Sequence, residues 1–223
     1  MTDPTALQKL LTWLSPAFPV GAFAWSAGLE TAIARRRVID SASLKNWIEG
    51  AVAHGGIRTD SIILAEAWRI ACAKNGRTAL RDLADLAIAL APAAERHRET
   101  LLTGNAFIIA AKAWPSPIYA ELPAPCPYPV AVGAIAAAHG IELPDTLLAY
   151  LTAGVHAQVS VAVRLVPLGQ TDGLAVMAAL EPAIAELAGA AAKSGLDDIG
   201  GIAYAADIAQ MHHETLEPRI FRS

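Results

Sequence analysis

Apolar residues recur at helical spacing through most of this chain. In one segment they fall at i, i+3, i+4, i+7 and i+8, as Leu44, Trp47, Ile48, Ala51 and Val52. Valine and isoleucine also occur, but almost never in the alternation that is typical of strands. Much of the apolar content is alanine, the strongest helix former. The pattern therefore predicts an all-α fold.

Turn and stop signals divide the pattern into about nine or ten helices. Asp3-Pro4 suits the start of the first helix, and a loop with two prolines at residues 15–21 ends it. Six prolines within residues 115–129 predict an extended proline-rich connector. Composition is the same on both sides of it, so we predict a single-domain bundle over residues 1–223.

Within this bundle, residues 1–24 are predicted to form the N-terminal helix and the proline-rich loop, and residues 205–223 a C-terminal tail. Residues 145–166 are predicted to be a long central helix, and Pro182 to kink or split the next one. The small residues that follow the connector, residues 128–139, predict a short helix that neighbouring helices can approach closely.

Single polar residues carry further predictions. Ser26 and Thr171 are placed to cap helices, and Arg164 to tie down the turn that follows it. His156 lies on the apolar central helix, where a hydrogen-bonded core histidine is the favoured interpretation. Four charged residues are predicted to mark an outer helix face: Glu95, Arg96, Arg98 and Glu99.

The mean hydropathy of +0.39 makes a membrane span a candidate. The best stretch, residues 147–163, is shorter than the roughly 20 apolar residues that a bilayer requires, and it contains Thr152 and His156. A buried helix is therefore favoured over a membrane span. Binding of partner proteins over much of the surface would also account for the high apolar content. No signal peptide is visible, which predicts a cytoplasmic protein without a membrane anchor.

Most standard functional motifs are absent. A net charge of −4 without a basic stripe argues against nucleic acid as a partner. The two glycine-rich phosphate loops and the Gly-x-Ser-x-Gly elbow do not occur. Paired carboxylates, a nucleophile–base set and a metal cluster are equally missing from the sequence pattern, so we predict a protein that is not an enzyme.

Polar residues of several chemistries stand close together only in the tail. His213 and Glu214 begin a near match to the zinc motif His-Glu-x-x-His, but Glu217 occupies the second histidine position and Pro218 breaks the helix. The adjacent pair His212 and His213 diverges by about 100° on a helix, which makes a poor chelate. A histidine-based nickel-binding carrier nevertheless remains the alternative function.

Four stretches together resemble the urease accessory protein F (UreF) family. They stand in the family's order along the chain: Ser-Pro-Ala-Phe-Pro-Val-Gly-Ala-Phe-Ala-Trp-Ser-Ala-Gly-Leu-Glu at 15–30, Tyr-Pro-Val-Ala-Val-Gly at 128–133, Arg-Leu-Val-Pro-Leu-Gly-Gln at 164–170, and His-Glu-Thr-Leu-Glu-Pro-Arg-Ile-Phe-Arg-Ser at 213–223. Glu217-Pro218 departs from the family, which often has Tyr-Ser there.

The resemblance implies an all-helical cytoplasmic homodimer that acts as a chaperone or scaffold in GTP-dependent nickel insertion into apo-urease. It implies a bridge between the accessory protein UreD/UreH and the GTPase UreG, with possible modulation of the GTPase. Nickel and GTP would be handled by these partners, with no cofactor bound directly. The absence of a phosphate-binding loop from this sequence agrees with GTP being bound by a partner.

The resemblance also assigns partner binding to residues of the N-terminal loop, of the turn after the long helix, and of the tail. These are Ser26, Gly28, Glu30, Gly169, Gln170, Glu214, Thr215, Leu216, Arg219, Phe221, Arg222 and Ser223. It implies that Arg219 and Arg222 pair with carboxylates of a partner, and that Ile220 and Phe221 bury in a partner's apolar pocket.

Overall fold

The structure, a computed structural model, describes residues 3–73 and 76–223 and places ten α-helices and no strand in them. The predicted all-α, single-domain bundle is confirmed. In chain order the helices are α1 Pro4–Trp13, α2 Leu29–Ala34, α3 Ser41–His54, α4 Gly56–Cys72, α5 Arg77–Ala89, α6 Ala94–Ala111, α7 Tyr128–Ala138, α8 Leu143–Leu165, α9 Gln170–Ala191 and α10 Tyr204–His213.

Short polar side chains fix the starts of two early helices. Asp3 Oδ2 accepts hydrogen bonds from the backbone of Thr5 at 3.0 Å and of Ala6 at 3.2 Å, which caps α1 as predicted. Asp40 caps α3 by accepting from the Ser43 backbone at 2.8 Å. The first two residues of the predicted segment 1–24 lie outside the described ranges.

Helix α7 forms the centre of the bundle and packs most extensively against α4 and α6. Every residue from Pro129 to Ala136 is buried, because small side chains on all sides let neighbouring helices surround α7. Gly133 lies so close to Leu64 that an added Cβ would overlap the Leu64 carbonyl oxygen. The close approach that we predicted for residues 128–139 is confirmed.

Helix α8 is less buried than predicted for a central helix. Thr152 and His156 are exposed, so the prediction of a core histidine at His156 was wrong. These positions are one helical turn apart and lie on the face of α8 that turns away from the core. By length and composition alone, α8 and α9 could each cross a membrane, a criterion that a core helix of a soluble protein also meets.

Helix α9 differs from the prediction at two points. It begins at Gln170, with the Asp172 carboxylate accepting from the Gly169 backbone at 3.0 Å, so Thr171 is not the cap. The helix also continues through Pro182, so the predicted split does not occur. Proline has no N–H to donate, so the carbonyl of Ala178, four residues earlier, lacks its usual helical partner. Pro182 and Ala178 are both exposed, so this carbonyl lies on the solvent side.

The connector at residues 115–129 contains one short 3-10 turn, Pro117–Ala120, and then runs to the start of α7. Its end is fixed against α6, where Asn105 Oδ1 accepts from the Cys126 backbone at 3.2 Å. Cys126 is buried and unpaired, and burial raises the pKa of its thiol to about 12. The predicted proline-rich connector is confirmed, but it is turned over Pro117–Ala120 and its last proline, Pro129, already belongs to α7.

Candidate functional site

The N-terminal loop and the C-terminal tail lie side by side, although the chain separates them by almost its full length. The contact depends on Gly28, which precedes α2 with a φ of +80°. A Cβ at this position would lie 2.7 Å from the backbone nitrogen of Gln210 on α10. Glycine therefore permits both the left-handed turn and the close approach of α10 to α2.

A buried histidine joins the tail to the body of the protein. His213, at the end of α10, is 0% exposed. Its Nε2 lies 2.9 Å from Glu30 Oε2 on α2, and its Nδ1 lies 2.7 Å from Glu95 Oε2 on α6. Because both carboxylates are also buried, this bridge fixes three helices at one point.

Glu30 also binds the chain beyond α10. Its Oε1 accepts from the Ile220 backbone at 2.7 Å, and its Oε2 accepts from the Phe221 backbone at 2.9 Å. Arg219 meets the second carboxylate, with Nη1 at 2.7 Å from Glu95 Oε1. The two glutamates of the body thus hold both ends of the segment from His213 to Phe221.

Further contacts fix the two ends of the tail. Glu214 Oε1 accepts from the Ala94 backbone at 2.9 Å and so caps the first turn of α6. At the other end, the Ser26 backbone donates to Ser223 O at 2.7 Å, and the Ser26 hydroxyl donates to the same oxygen. Arg222 donates its backbone N–H to Ala24 O at 2.8 Å. The end of the tail therefore lies against the N-terminal loop and binds its backbone.

Alternation along this segment decides which side chains remain available. Phe221 and Ser223 are buried, whereas Ile220 and Arg222 are exposed. The Arg164 guanidinium lies 5.9 Å from the Phe221 ring centroid, and that of Arg222 lies 5.9 Å from the Trp25 ring centroid. Phe221 thus packs into its own chain, which differs from the expectation that it would enter a partner's pocket together with Ile220.

Most of the predicted site residues are brought together here, and two are not. Gly169 and Gln170 are exposed at the start of α9, and no hydrogen bond or ion pair within the described ranges joins them to the tail. Thr215 and Leu216 lie in the bend after α10, where the Thr215 hydroxyl donates to His212 O at 3.3 Å. The predicted site is therefore one contiguous surface plus a separate turn.

Several roles in this site differ from the sequence predictions. Ser26 binds the end of the tail in addition to accepting from the Glu30 backbone in the first turn of α2 at 3.4 Å, and the N-cap position itself is occupied by Gly28. Arg164 donates to Phe23 O at 3.4 Å and does not tie down the turn after α8.

Glu95 was predicted on an outer face but is buried, because the tail supplies His213 and Arg219 as partners. A buried acid with distant partners leaves no local signal in the sequence.

A metal site at the tail histidines is not favoured by the geometry. Both ring nitrogens of His213 are engaged with carboxylates, and the neighbouring His212 is exposed. Within residues 3–73 and 76–223 no three potential ligands lie close enough to hold a metal ion. The site is built to hold the tail against the body.

The tail contacts determine how Glu30 responds to acid. Burial alone would raise the pKa of Glu30, but hydrogen bonds from His213 and from the backbone of Ile220 and Phe221 outweigh it and lower that pKa below its usual value. A lowered carboxyl pKa in the docked state stabilises docking above the ordinary glutamate pKa of about 4.3. That stabilisation is lost as the pH falls through the lowered value.

We therefore expect acid to loosen the tail before it unfolds the body. The amide resonances of Ile220 and Phe221, followed by NMR during an acid titration, should lose their docked chemical shifts as the pH falls through the lowered pKa of Glu30. The backbone amide of Ser43, which binds the exposed carboxylate of Asp40, is a control for a purely local effect. A shift of all amides at one common pH would instead indicate global unfolding and contradict the prediction.

Comparison with known proteins identifies the family. A family model described as UreF matches residues 38–181. The chain is 51% identical over 218 residues to the urease accessory protein UreF of Agrobacterium fabrum, with 98% of this chain and 96% of that protein covered. This chain belongs to the UreF family.

Two further relatives extend over nearly the same length. Urease accessory protein UreF of Rhizobium etli is 49% identical over 218 residues, with 98% of this chain and 96% of that protein covered. Urease accessory protein UreF 1 of Brucella canis is 46% identical over 222 residues, with coverage of 99% and 96%. The resemblance drawn from four short stretches is thereby confirmed.

Proposed function

We propose that this UreF-family protein serves urease maturation as a chaperone or scaffold for GTP-dependent nickel insertion into apo-urease. In this proposal it bridges UreD/UreH and the GTPase UreG and modulates the GTPase activity. Nickel and GTP are handled by these partners, and the protein itself binds no cofactor. It works in the cytoplasm as a homodimer. The relatives, which are urease accessory proteins, support the role in urease maturation.

The observation that carries the scaffold role is the docked tail with its outward apolar side chains. Ile220 is 77% exposed although the backbone on both sides of it is held by hydrogen bonds. On α10, Tyr204, Ile208 and Met211 are 71%, 47% and 49% exposed, at i, i+4 and i+7. Exposed apolar side chains on an ordered backbone are the usual composition of a protein-binding surface, because little entropy is lost on binding.

The predicted partner-binding residues then divide into two roles. Glu30, Phe221 and Ser223 are buried and position the tail, so their contribution to binding is indirect. Arg222 is exposed beside Ile220 and can meet a partner's carboxylate directly. Gly169, Gln170 and Thr215 are also exposed and complete the proposed contact set.

The experiment is a charge substitution on the outward side of the tail. Ile220→Glu should preserve the fold, because the side chain makes no buried contact, and should reduce co-purification with UreD/UreH by about tenfold or more. Ile109→Glu, on an exposed face of α6, is the matched control and should bind normally. Deletion of residues 210–223 should abolish binding, and undiminished binding by both tail variants would overturn the tail's assigned role.

A further inference from the structure

A cavity of about 430 Å³ opens between the N-terminal loop, α8 and α10, beside the tail contacts described above, with which it shares Trp25 and Arg164. This volume lies within the range of small-molecule sites. Its wall is rich in aromatic rings, among them Trp13, Phe23, Trp25, Trp47, Tyr128 and Tyr150. Aromatic rings offer an apolar surface and, at their faces, attraction for cations.

One end of the cavity carries a group of charges. Arg96 is paired with Asp60, and its Nη1 lies 2.9 Å from Glu99 Oε2. The Tyr150 hydroxyl donates to Asp60 Oδ2 at 3.2 Å. Asp207 of α10 also lines the cavity. Asp60 and Glu99 thus share one cation, Arg96, which leaves an excess of negative charge at this end.

The remaining cation of the lining does not offset this excess locally. Arg164 bonds to Phe23 O and lies against the Phe221 ring, on the side of the tail. Burial raises the pKa of Glu99 despite its neighbour Arg96, and burial likewise raises the pKa of Asp207. A further cation close to Glu99 and Asp207 would favour their ionised forms and so lower these raised pKa values.

Unpartnered polar atoms give an independent indication of a ligand. Gln210 is 6% exposed and lines the cavity, and its Oε1 has no hydrogen-bond donor within the described part of the chain. Gln158 lines the same cavity, and its buried Oε1 also has no hydrogen-bond donor within the described part of the chain. Buried acceptors without a donor are costly, and a ligand with N–H groups would satisfy them.

We propose that this cavity binds a small organic cation, with its ammonium or guanidinium group at the acidic end, N–H groups available to the unpartnered Gln210 oxygen, and an apolar body against the aromatic wall. The combination of acidic end, unpartnered acceptors and aromatic sides fits this chemical class better than an anion or a neutral hydrocarbon. A bare metal ion fits poorly, since within residues 3–73 and 76–223 no three ligating groups converge. The proposal goes beyond the role in urease maturation and does not depend on it.

The test uses the full chain and phenethylammonium as the probe. Three of the lining residues are tryptophans, so binding can be followed by intrinsic fluorescence and confirmed by calorimetry. We expect saturable binding with a dissociation constant on the order of 1 mM, as is usual for ligands of this size. The anion 3-phenylpropionate, with a similar apolar body, should bind at least about tenfold more weakly.

Filling the cavity provides the decisive variant. Gly154 of α8 lines the cavity, and a Cβ at this position would meet no atom within 4 Å. Gly154→Leu should therefore fold at least as stably as the wild type, because leucine favours helix over glycine, and it should abolish binding. Gly189→Leu on α9 is the matched control, since Gly189 is exposed, has equally open space and does not line the cavity.

A second variant tests the charge. Glu99→Gln should weaken phenethylammonium binding by about tenfold, whereas Glu186→Gln, on the exposed face of α9, should leave it unchanged. Absence of saturable binding by the wild type would overturn the proposal. So would full binding by Gly154→Leu, or equal affinity for 3-phenylpropionate.

Discussion

Replacement of Glu30 with alanine is expected to release the tail and to lower the free energy of unfolding by about 3–5 kcal/mol. Glu30 accepts from His213 and from two backbone N–H groups, those of Ile220 and Phe221. The substitution leaves a fully buried imidazole nitrogen and two amides without their acceptor, and each such group is costly. The loss therefore exceeds that of an ordinary surface ion pair.

The effect can be measured by urea denaturation together with limited trypsin digestion. Release of the tail should speed cleavage after Arg219 and Arg222, which the docked backbone resists. Glu49→Ala is the matched control, because Glu49 forms an exposed pair with Lys45 at 2.8 Å, and it should change stability by less than about 1 kcal/mol. Equal cleavage rates in Glu30→Ala and the wild type would show that Glu30 does not hold the tail.

The local part of the fold could be predicted from the sequence because its causes are local. Asp3 caps α1 as expected, since its side chain meets backbone groups two and three residues away. The depth of each helix in the bundle was harder to predict. Helix α8 is longer and contains larger apolar residues, yet α7 is the more fully buried, because small side chains allow contact on every side.

Some residues of the candidate site were predicted from the sequence, but their arrangement was not. Family resemblance drew attention to the tail and to the N-terminal loop, which the structure places together. The direction of each tail side chain depends on Glu30, whose bonds to successive amides set the alternation of Ile220 outward and Phe221 inward. Glu95 contributes as much, but its partners lie more than a hundred residues away, so no local pattern could indicate it.

The close contact between α4 and α7 leads to the second large effect. Gly133→Ala should lower the free energy of unfolding by about 2 kcal/mol, although alanine favours helix over glycine by roughly 0.5–1 kcal/mol. The added methyl group would overlap the Leu64 carbonyl oxygen, which is part of the α4 backbone and cannot rotate away. The two helices would have to separate, and the buried residues of α7 would lose contacts with α4.

The matched control for this substitution is Gly50→Ala in α3, where an added Cβ meets no atom within 4 Å. That variant should gain up to about 1 kcal/mol from helix propensity alone. If Gly133→Ala lowers the free energy of unfolding and Gly50→Ala raises it, the short distance between the two helix backbones, and not helix propensity, requires glycine at position 133. Stabilisation by both substitutions, measured by urea denaturation, would contradict the close packing of α4 against α7.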